Sequence, residues 1–194
     1  MREINIIYID DKPDPNLSRY LDADFSDPEF HKNYQEILFN PAEGYESLIK
    51  NPLVQTANII IIDSMLFENS NSVSGKFSGE EFKIILRKYY PFIEVIVITQ
   101  NEPESRMGTI SKYDKKQSEN ASDYYGRVLP ELIHSAYSNI EKYRSIADKL
   151  SKNSTLDKYL VEKVTSSLDG TSIYDELTKS DIDSLIEAFQ KIER

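Results

Sequence analysis

Residues 4–11 read INIIYIDD, a β-branched, almost wholly apolar run that stops on two aspartates, Asp10 and Asp11. The same design returns as IIIID at 59–63 and as VIVIT at 95–99. Short runs that are apolar on both faces are what parallel strands buried between two helix layers require. Weaker strand candidates lie at 34–39 and 109–113. Between the runs sit amphipathic helix candidates. Residues 42–50 carry Tyr45, Leu48 and Ile49, and residues 80–90 carry Phe82, Ile85, Leu86 and Tyr89 after Ser78-Gly79. Pro41 and Pro91 punctuate the junctions. Strands alternating with helices predict an α/β domain built on a parallel sheet, with right-handed crossovers placing helices on both faces.

Beyond Ser122 the pattern changes. Leu129, Leu132, Ile133, Ala136, Tyr137, Ile140, Ala147 and Leu150 recur at three- and four-residue steps, predicting one long amphipathic helix to about Lys152. A second helical stretch carries Leu156, Leu160, Val164 and Leu168 and breaks at Asp169-Gly170. A third follows Ser180 with Ile182, Leu185, Ile186, Phe189 and Ile192. The expected division is an α/β domain over 1–135 and a helical extension over 136–194.

Composition excludes several classes. The 194 residues carry 23 Lys+Arg against 33 Asp+Glu, a net charge of −10. Most of it lies in the first 134 residues, where 14 basic face 22 acidic residues; the remainder holds 9 and 11. Such a surface repels phosphate backbones and anionic lipid, so neither nucleic acid nor membrane is an expected partner. The absence of cysteine removes disulfides, thiolate metal sites and cysteine nucleophiles together. The two histidines, His31 and His134, are too few for a multi-histidine centre and read as surface residues. Thirteen tyrosines suggest amphipathic packing. No signal-peptide layout and no run approaching the roughly 20 apolar residues of a bilayer span is present, so a cytoplasmic protein is expected.

The chemistry gathers at the strand ends. In an open parallel sheet ligands bind beyond the carboxyl ends of the strands, near the point where strand order reverses. Asp10 and Asp11, Asp63 and Thr99 follow three of the runs, and Lys112 lies near the end of a fourth. Were those strands neighbours, three carboxylates, a hydroxyl and an ammonium would share one pocket. Carboxylates that close need a cation, and a hard, oxygen-seeking ion such as Mg²⁺ fits. Asp63 is then placed as a nucleophilic phosphoryl acceptor, with Thr99 and Lys112 stabilising the phosphoryl group.

IIYIDD, IIIIDSML and VIVIT, with a lysine following, resemble the receiver domains of two-component response regulators over roughly residues 1–140. The resemblance implies a doubly wound, five-stranded parallel sheet of the flavodoxin-like type. It implies that Asp63 accepts a phosphoryl group from a histidine kinase or phosphotransfer protein. Asp10, Asp11 and Asp63 would hold Mg²⁺ with the backbone carbonyl of Met65, and Thr99 and Lys112 would contact the phosphoryl oxygens. Any catalysis would be limited to self-phosphorylation from a donor and slow self-dephosphorylation.

The sequence also departs from that pattern. The intervals of 52, 36 and 13 residues between Asp11, Asp63, Thr99 and Lys112 are long, long and short for the family. A polar insertion over 67–78 could cover the pocket as a lid. Residues 100–111, broken by Pro103 and Gly108, are too short for the usual fourth helix. Gln100 follows Thr99 where the family has a small residue. Thr109 occupies the place of a switch aromatic, and Tyr113 that of a proline. Lys115 or Lys116 could stand in for Lys112. Two other readings therefore stand beside a phosphorylated regulator: a non-switching pseudo-receiver scaffold, and a Mg²⁺-dependent phosphohydrolase. The haloacid-dehalogenase-like form of the latter wants a second aspartate where Met65 stands. The helical tail, acidic rather than basic, predicts output by protein docking or homodimerisation.

Overall fold

The structure, a computed structural model, describes residues 2–67, 78–101, 109–116, 118–152 and 158–168. Five strands build one sheet: β1 (Arg2–Asp10), β2 (Phe30–Leu38), β3 (Ile59–Asp63), β4 (Glu94–Thr99) and β5 (Thr109–Ser111). All pairings are parallel and the order is β2-β1-β3-β4-β5. The chain steps from β1 outward to β2, then returns past β1 to β3 and continues the other way. The reversal therefore lies between β1 and β3.

The period-two alternation of strand side chains separates two cores. Ile4, Ile6, Tyr8, Ile59, Ile61, Ile96 and Ile98 face one side. Covering them are α1 (Pro15–Arg19), the π-helical turn that continues it (Tyr20–Asp24), and the long α5 (Ala121–Ser151). Ile7, Ile9, Ile60, Ile62, Val95 and Val97 face the other side. They meet α2 (Tyr45–Ile49), α3 (Pro52–Gln55) and α4 (Gly79–Tyr89). Ile59 to Ile62 are all fully buried, which explains why both faces of β3 are isoleucine. Each such side chain contributes about 1.5–3 kcal/mol of burial.

Helix boundaries obey local chemistry. Asp14 caps α1 by accepting from the Asn16 amide, with Pro15 in the first turn. Ser78 and Glu81 cap α4 reciprocally, at the place the sequence suggests. Asn120 caps α5, which then runs 31 residues through Pro130. α5 keeps Leu129, Ile133, Ala136, Tyr137 and Ile140 buried as it passes the expected division at 135, and buries Ala147 and Leu150 nearer its end. α6 (Lys158–Leu168) packs against α5.

Several boundaries differ from the sequence reading. β2 starts at Phe30 rather than 34, because β1 already begins at Arg2 and pairs with it. The helix expected over 42–50 is a 3₁₀ turn (Pro41–Glu43) followed by the short α2, divided by Gly44 at φ 71°. β5 ends at Ser111 rather than 113. Helix α1, too short to show a periodic pattern, carries Leu17 into the core. Most of the 67–78 insertion and of the 100–111 spacer, and the helix expected after Ser180, lie outside the described residues. Among the described residues no helix is long and apolar enough to cross a membrane.

Gly79 joins the fold to the strand end. Its amide donates to the Ser64 carbonyl at 2.8 Å. A Cβ there would lie 2.5 Å from the Asp63 carbonyl oxygen and 2.9 Å from Ser64 Cα, both backbone atoms. Gly79→Ala is therefore expected to destabilise by about 1–3 kcal/mol in chemical denaturation, despite alanine's better helix propensity.

Candidate functional site

Register decides the site. Ile9 pairs with Ile62, so Asp10 and Asp63 stand next in line on adjacent parallel strands. Alternation turns both toward the α5 side, with Tyr8 and Ile61. Ile98 pairs with Ile110, which packs on the same core, and Lys112 comes two residues later on the same face. The Lys112 ammonium reaches Asp10 Oδ2 and Asp63 Oδ1, each at 2.7 Å. Asp10, Asp63 and Lys112 are all buried, and Asp11 is half-buried beside them. One carboxylate oxygen from each of Asp10, Asp11 and Asp63 lies within 4.8 Å of the others.

Each carboxylate is also held by its own turn. The Lys12 amide donates to Asp10 Oδ1 at 2.9 Å, and the Met65 amide to Asp63 Oδ2 at 2.9 Å. Tyr8 donates its hydroxyl proton to Asp10 Oδ2 at 2.5 Å. Burial first, and the charge of Asp10 second, push the Tyr8 phenol far up, so it stays a donor. Burial pushes the Asp63 carboxyl up; hydrogen bonding and attraction from Lys112 oppose this, but that ammonium is shared with Asp10. Burial and then Asp10 push Asp11 up as well. Lys112 is held above its ordinary range: burial lowers it, and its bonds to Asp10 and Asp63 outweigh burial.

Of the residues the sequence singles out, Asp10, Asp11, Asp63 and Lys112 converge. Lys112 is the lysine in the pocket, since Lys115 and Lys116 are exposed. Thr99 is buried at the end of β4, where its hydroxyl accepts from the Asn101 amide at 3.1 Å and its carbonyl accepts from the Lys112 amide at 2.6 Å. Its side chain shares the parity of Val97, the α4 side of the sheet. Met65 is partly exposed, and its sulfur accepts from the Asn101 amide group. Gln100 is exposed, whereas Thr109 is buried and donates to Glu80 Oε1 at 2.8 Å. Of the histidines, His31 is exposed on β2 and His134 lies 3.4 Å from Asp27 at the surface.

Other participants carried no local motif. Glu80 joins Thr109 to Ser64, whose hydroxyl donates to Glu80 Oε2 at 2.8 Å. Burial pushes Glu80 up, but hydrogen bonds from Ser64 and Thr109 outweigh it and hold the carboxyl low. Tyr8 could have been found by counting two residues back from Asp10 along a strand. Tyr125, 111 residues from its partner Asp14, could not.

The donor chemistry fits a hard divalent cation. Among the described residues, three carboxylates, two buried and one half-buried, and one ammonium leave two formal negative charges in a cluster that offers only oxygen ligands. The cluster could therefore hold a metal ion. The chain matches no protein-family model and no curated protein sequence.

The raised carboxyl of Asp63 gives stability a sign. A folded-state carboxyl held above its ordinary 3.8 binds its proton more tightly than in the unfolded chain. Its contribution is therefore greatest when protonated and is lost as pH rises from that value through the folded one. Without added metal, Asp63→Asn is expected to melt above the wild type at pH 7. The gap should close toward pH 4 in a series of thermal melts. A constant gap across the series would contradict this.

Proposed function

We propose that the protein is a receiver-type phospho-acceptor with Asp63 as the accepting residue. The observation that carries this reading is the convergence of Asp10, Asp11 and Asp63 within 4.8 Å at the ends of neighbouring parallel strands, with Lys112 bridging two of them. The strand order β2-β1-β3-β4-β5 supports it, because that is the flavodoxin-like order with its reversal at β1 and β3, where ligands of such sheets bind.

In the proposed reaction an Asp63 carboxylate oxygen forms a bond to phosphorus. The phosphorus–nitrogen bond of a donor phosphohistidine breaks, and the proton on the other ring nitrogen leaves the imidazole neutral. Acetyl phosphate can replace this donor, acetate then being the leaving group. Asp10, Asp11 and Asp63, with the Met65 carbonyl, would hold Mg²⁺, which supplies electrostatic stabilisation of the phosphoryl oxygens. Lys112 pairs with both Asp63 and Asp10 at 2.7 Å and would meet the accepted group as a cation. The Met65 amide holds Asp63 Oδ2, leaving the other oxygen facing Lys112.

One observation favours a second reading, a pseudo-receiver that does not switch. At the family's switch position stands Thr109, buried and bonded to Glu80 rather than free to rotate. Output in either case is assigned to the helical part of the chain beyond the sheet, from α5 onward, acting by docking to a partner protein or by homodimerisation. Localisation in the cytoplasm belongs to the same proposal.

Incubation with acetyl phosphate and Mg²⁺ is expected to add one phosphoryl group by mass to the wild type and none to Asp63→Asn. Beryllium fluoride with Mg²⁺ should shift backbone NMR signals around Asp63. Shifts that reach β5 and α5 support the switching form, and shifts confined to the strand ends support the pseudo-receiver. A wild type that neither ligand alters refutes the phospho-acceptor. Separately, light scattering is expected to give a dimer for the full chain, and truncation after Lys152 is expected to expose apolar surface. A monomer before and after truncation would contradict the assigned output.

A further inference from the structure

Tyr8 is fully buried in the core on the α5 side, and phenylalanine would fill that space equally well. What phenylalanine would lack is the hydroxyl, and a buried hydroxyl must find partners. It has two: it donates to Asp10 Oδ2 at 2.5 Å and accepts from the Asp14 amide at 3.1 Å. Asp10 Oδ2 takes Lys112 at 2.7 Å as its second donor, and Oδ1 takes the Lys12 amide at 2.9 Å. Three donors thus fix this carboxylate, and the oxygen facing Lys112 has both lone pairs engaged.

The bonds then run back to their origin. Asp14 Oδ2 accepts the Tyr125 hydroxyl proton at 2.7 Å, and the Tyr125 oxygen accepts from the Tyr113 amide at 3.1 Å. Tyr113 is the next residue after Lys112 in the chain. Leaving Lys112 by its ammonium, the network passes Asp10, Tyr8, Asp14 and Tyr125 and returns to the backbone beside Lys112. Strand β1, the turn after it, the residues that follow β5 and the start of α5 are joined by one set of buried and half-buried groups.

We infer that Tyr8 is a positioning residue: its hydroxyl fixes the Asp10 carboxylate, and Asp10 holds the Lys112 ammonium where it meets a phosphoryl group on Asp63. The second half rests on the proposed function. Asp63 loses one ammonium contact whenever Lys112 turns to phosphoryl oxygens, so the Asp10 anchor must stay in place. Tyr8 supplies that anchor with a donor that carries no charge and adds nothing to the charge the cation must balance.

The test uses the full chain, wild type and Tyr8→Phe, with three readouts: calorimetric affinity for Mg²⁺ alone, affinity for beryllium fluoride at saturating Mg²⁺, and hydrogen exchange of the Lys112 ammonium by lysine-selective NMR without ligand. In Tyr8→Phe, beryllium fluoride affinity is expected to fall about tenfold, the scale of one hydrogen bond to a charged group, and Mg²⁺ affinity, which also draws on Asp10, is expected to fall by less. The Lys112 ammonium should exchange faster. A lower melting temperature with both affinities unchanged, or with both reduced equally, overturns the inference, because a merely structural tyrosine predicts that pattern. If Tyr8→Phe fails to fold, Tyr125→Phe removes the next link without touching Asp10. It should move the beryllium fluoride affinity and the Lys112 exchange in the same direction, by about threefold, less than Tyr8→Phe because the Tyr125 bond to the Asp14 carboxylate acts on Tyr8 only through the Asp14 amide, and no change overturns the inference. A wild type indifferent to beryllium fluoride refutes the phospho-acceptor reading alone. The exchange measurement still decides whether Tyr8 holds Lys112.

Discussion

Two carboxylates on adjacent strands at a buried sheet end cannot both be ionised without a counter-charge, and the chain supplies it with Lys112. The register of β1 against β3 makes the problem, because pairing Ile9 with Ile62 brings Asp10 and Asp63 side by side. An isolated charge in such a place costs several kcal/mol, and removing one partner from a buried pair leaves that cost uncompensated. β5 is only three residues long, yet its end must stay at the sheet for Lys112 to reach across. The ion pairs, 102 residues apart in sequence for Asp10, are therefore also a tie between the last strand and the first. Among the described residues, one ammonium meets three carboxylates and balances their charge only in part, which is why the cluster suits a divalent cation.

Much of this was legible in the chain because it rests on local pattern. The three isoleucine- and valine-rich runs could hardly be anything except strands buried on both faces. The acids at their ends were set by strand length alone. Lys112 was harder: residues 102–108 give no run to count from, and the strand ahead of it has three residues. The choice among Lys112, Lys115 and Lys116 fell to pairing, since Ile98 against Ile110 sets which lysine points inward. What sequence could not show was contact across distance. Tyr125 and Asp14, Glu80 and Thr109, and the close approach of Gly79 to Asp63 are pairings made by the packing of helices on the sheet. The π-helical turn at Tyr20–Asp24 extends a helix that sequence spacing alone would have left too short to notice.

The two faces of the sheet treat the strand ends differently. On the α5 side the groups are charged: Asp10, Asp63 and Lys112, with Tyr8 behind them. On the α4 side, Glu80 holds Ser64 and Thr109 through neutral hydroxyls, while the Gly79 amide and the Ile98 carbonyl bind the backbone of Ser64. The turn after Asp63 is thereby pinned from the α4 side. Under the proposed function, a change of state at Asp63 would reach α5 through the bonds that run from Lys112 by way of Asp10, Tyr8, Asp14 and Tyr125.

α5 is suited to that part by its attachments. At its start Tyr125 is bonded to Asp14, and the Tyr124 hydroxyl donates to the Ser111 carbonyl at 2.8 Å. Both link the helix to segments that hold the site. From Tyr125 to Leu150 the helix advances about 38 Å at the ordinary rise per residue, and α6 packs against it. A stiff helix converts a small tilt at one end into a larger displacement at the other, which under the proposed function is the end toward the output. Pro130 sits five residues after Tyr125, where it removes one backbone donor and crowds the preceding turn. That turn therefore has one backbone hydrogen bond fewer just beyond the attachment to the site. Pro130 lies beside Leu129 and Ile133, both fully buried against the sheet, so packing supports the turn that hydrogen bonding leaves weak. Under the proposed function, transmission along α5 would depend on that packing as much as on the tyrosines at its start.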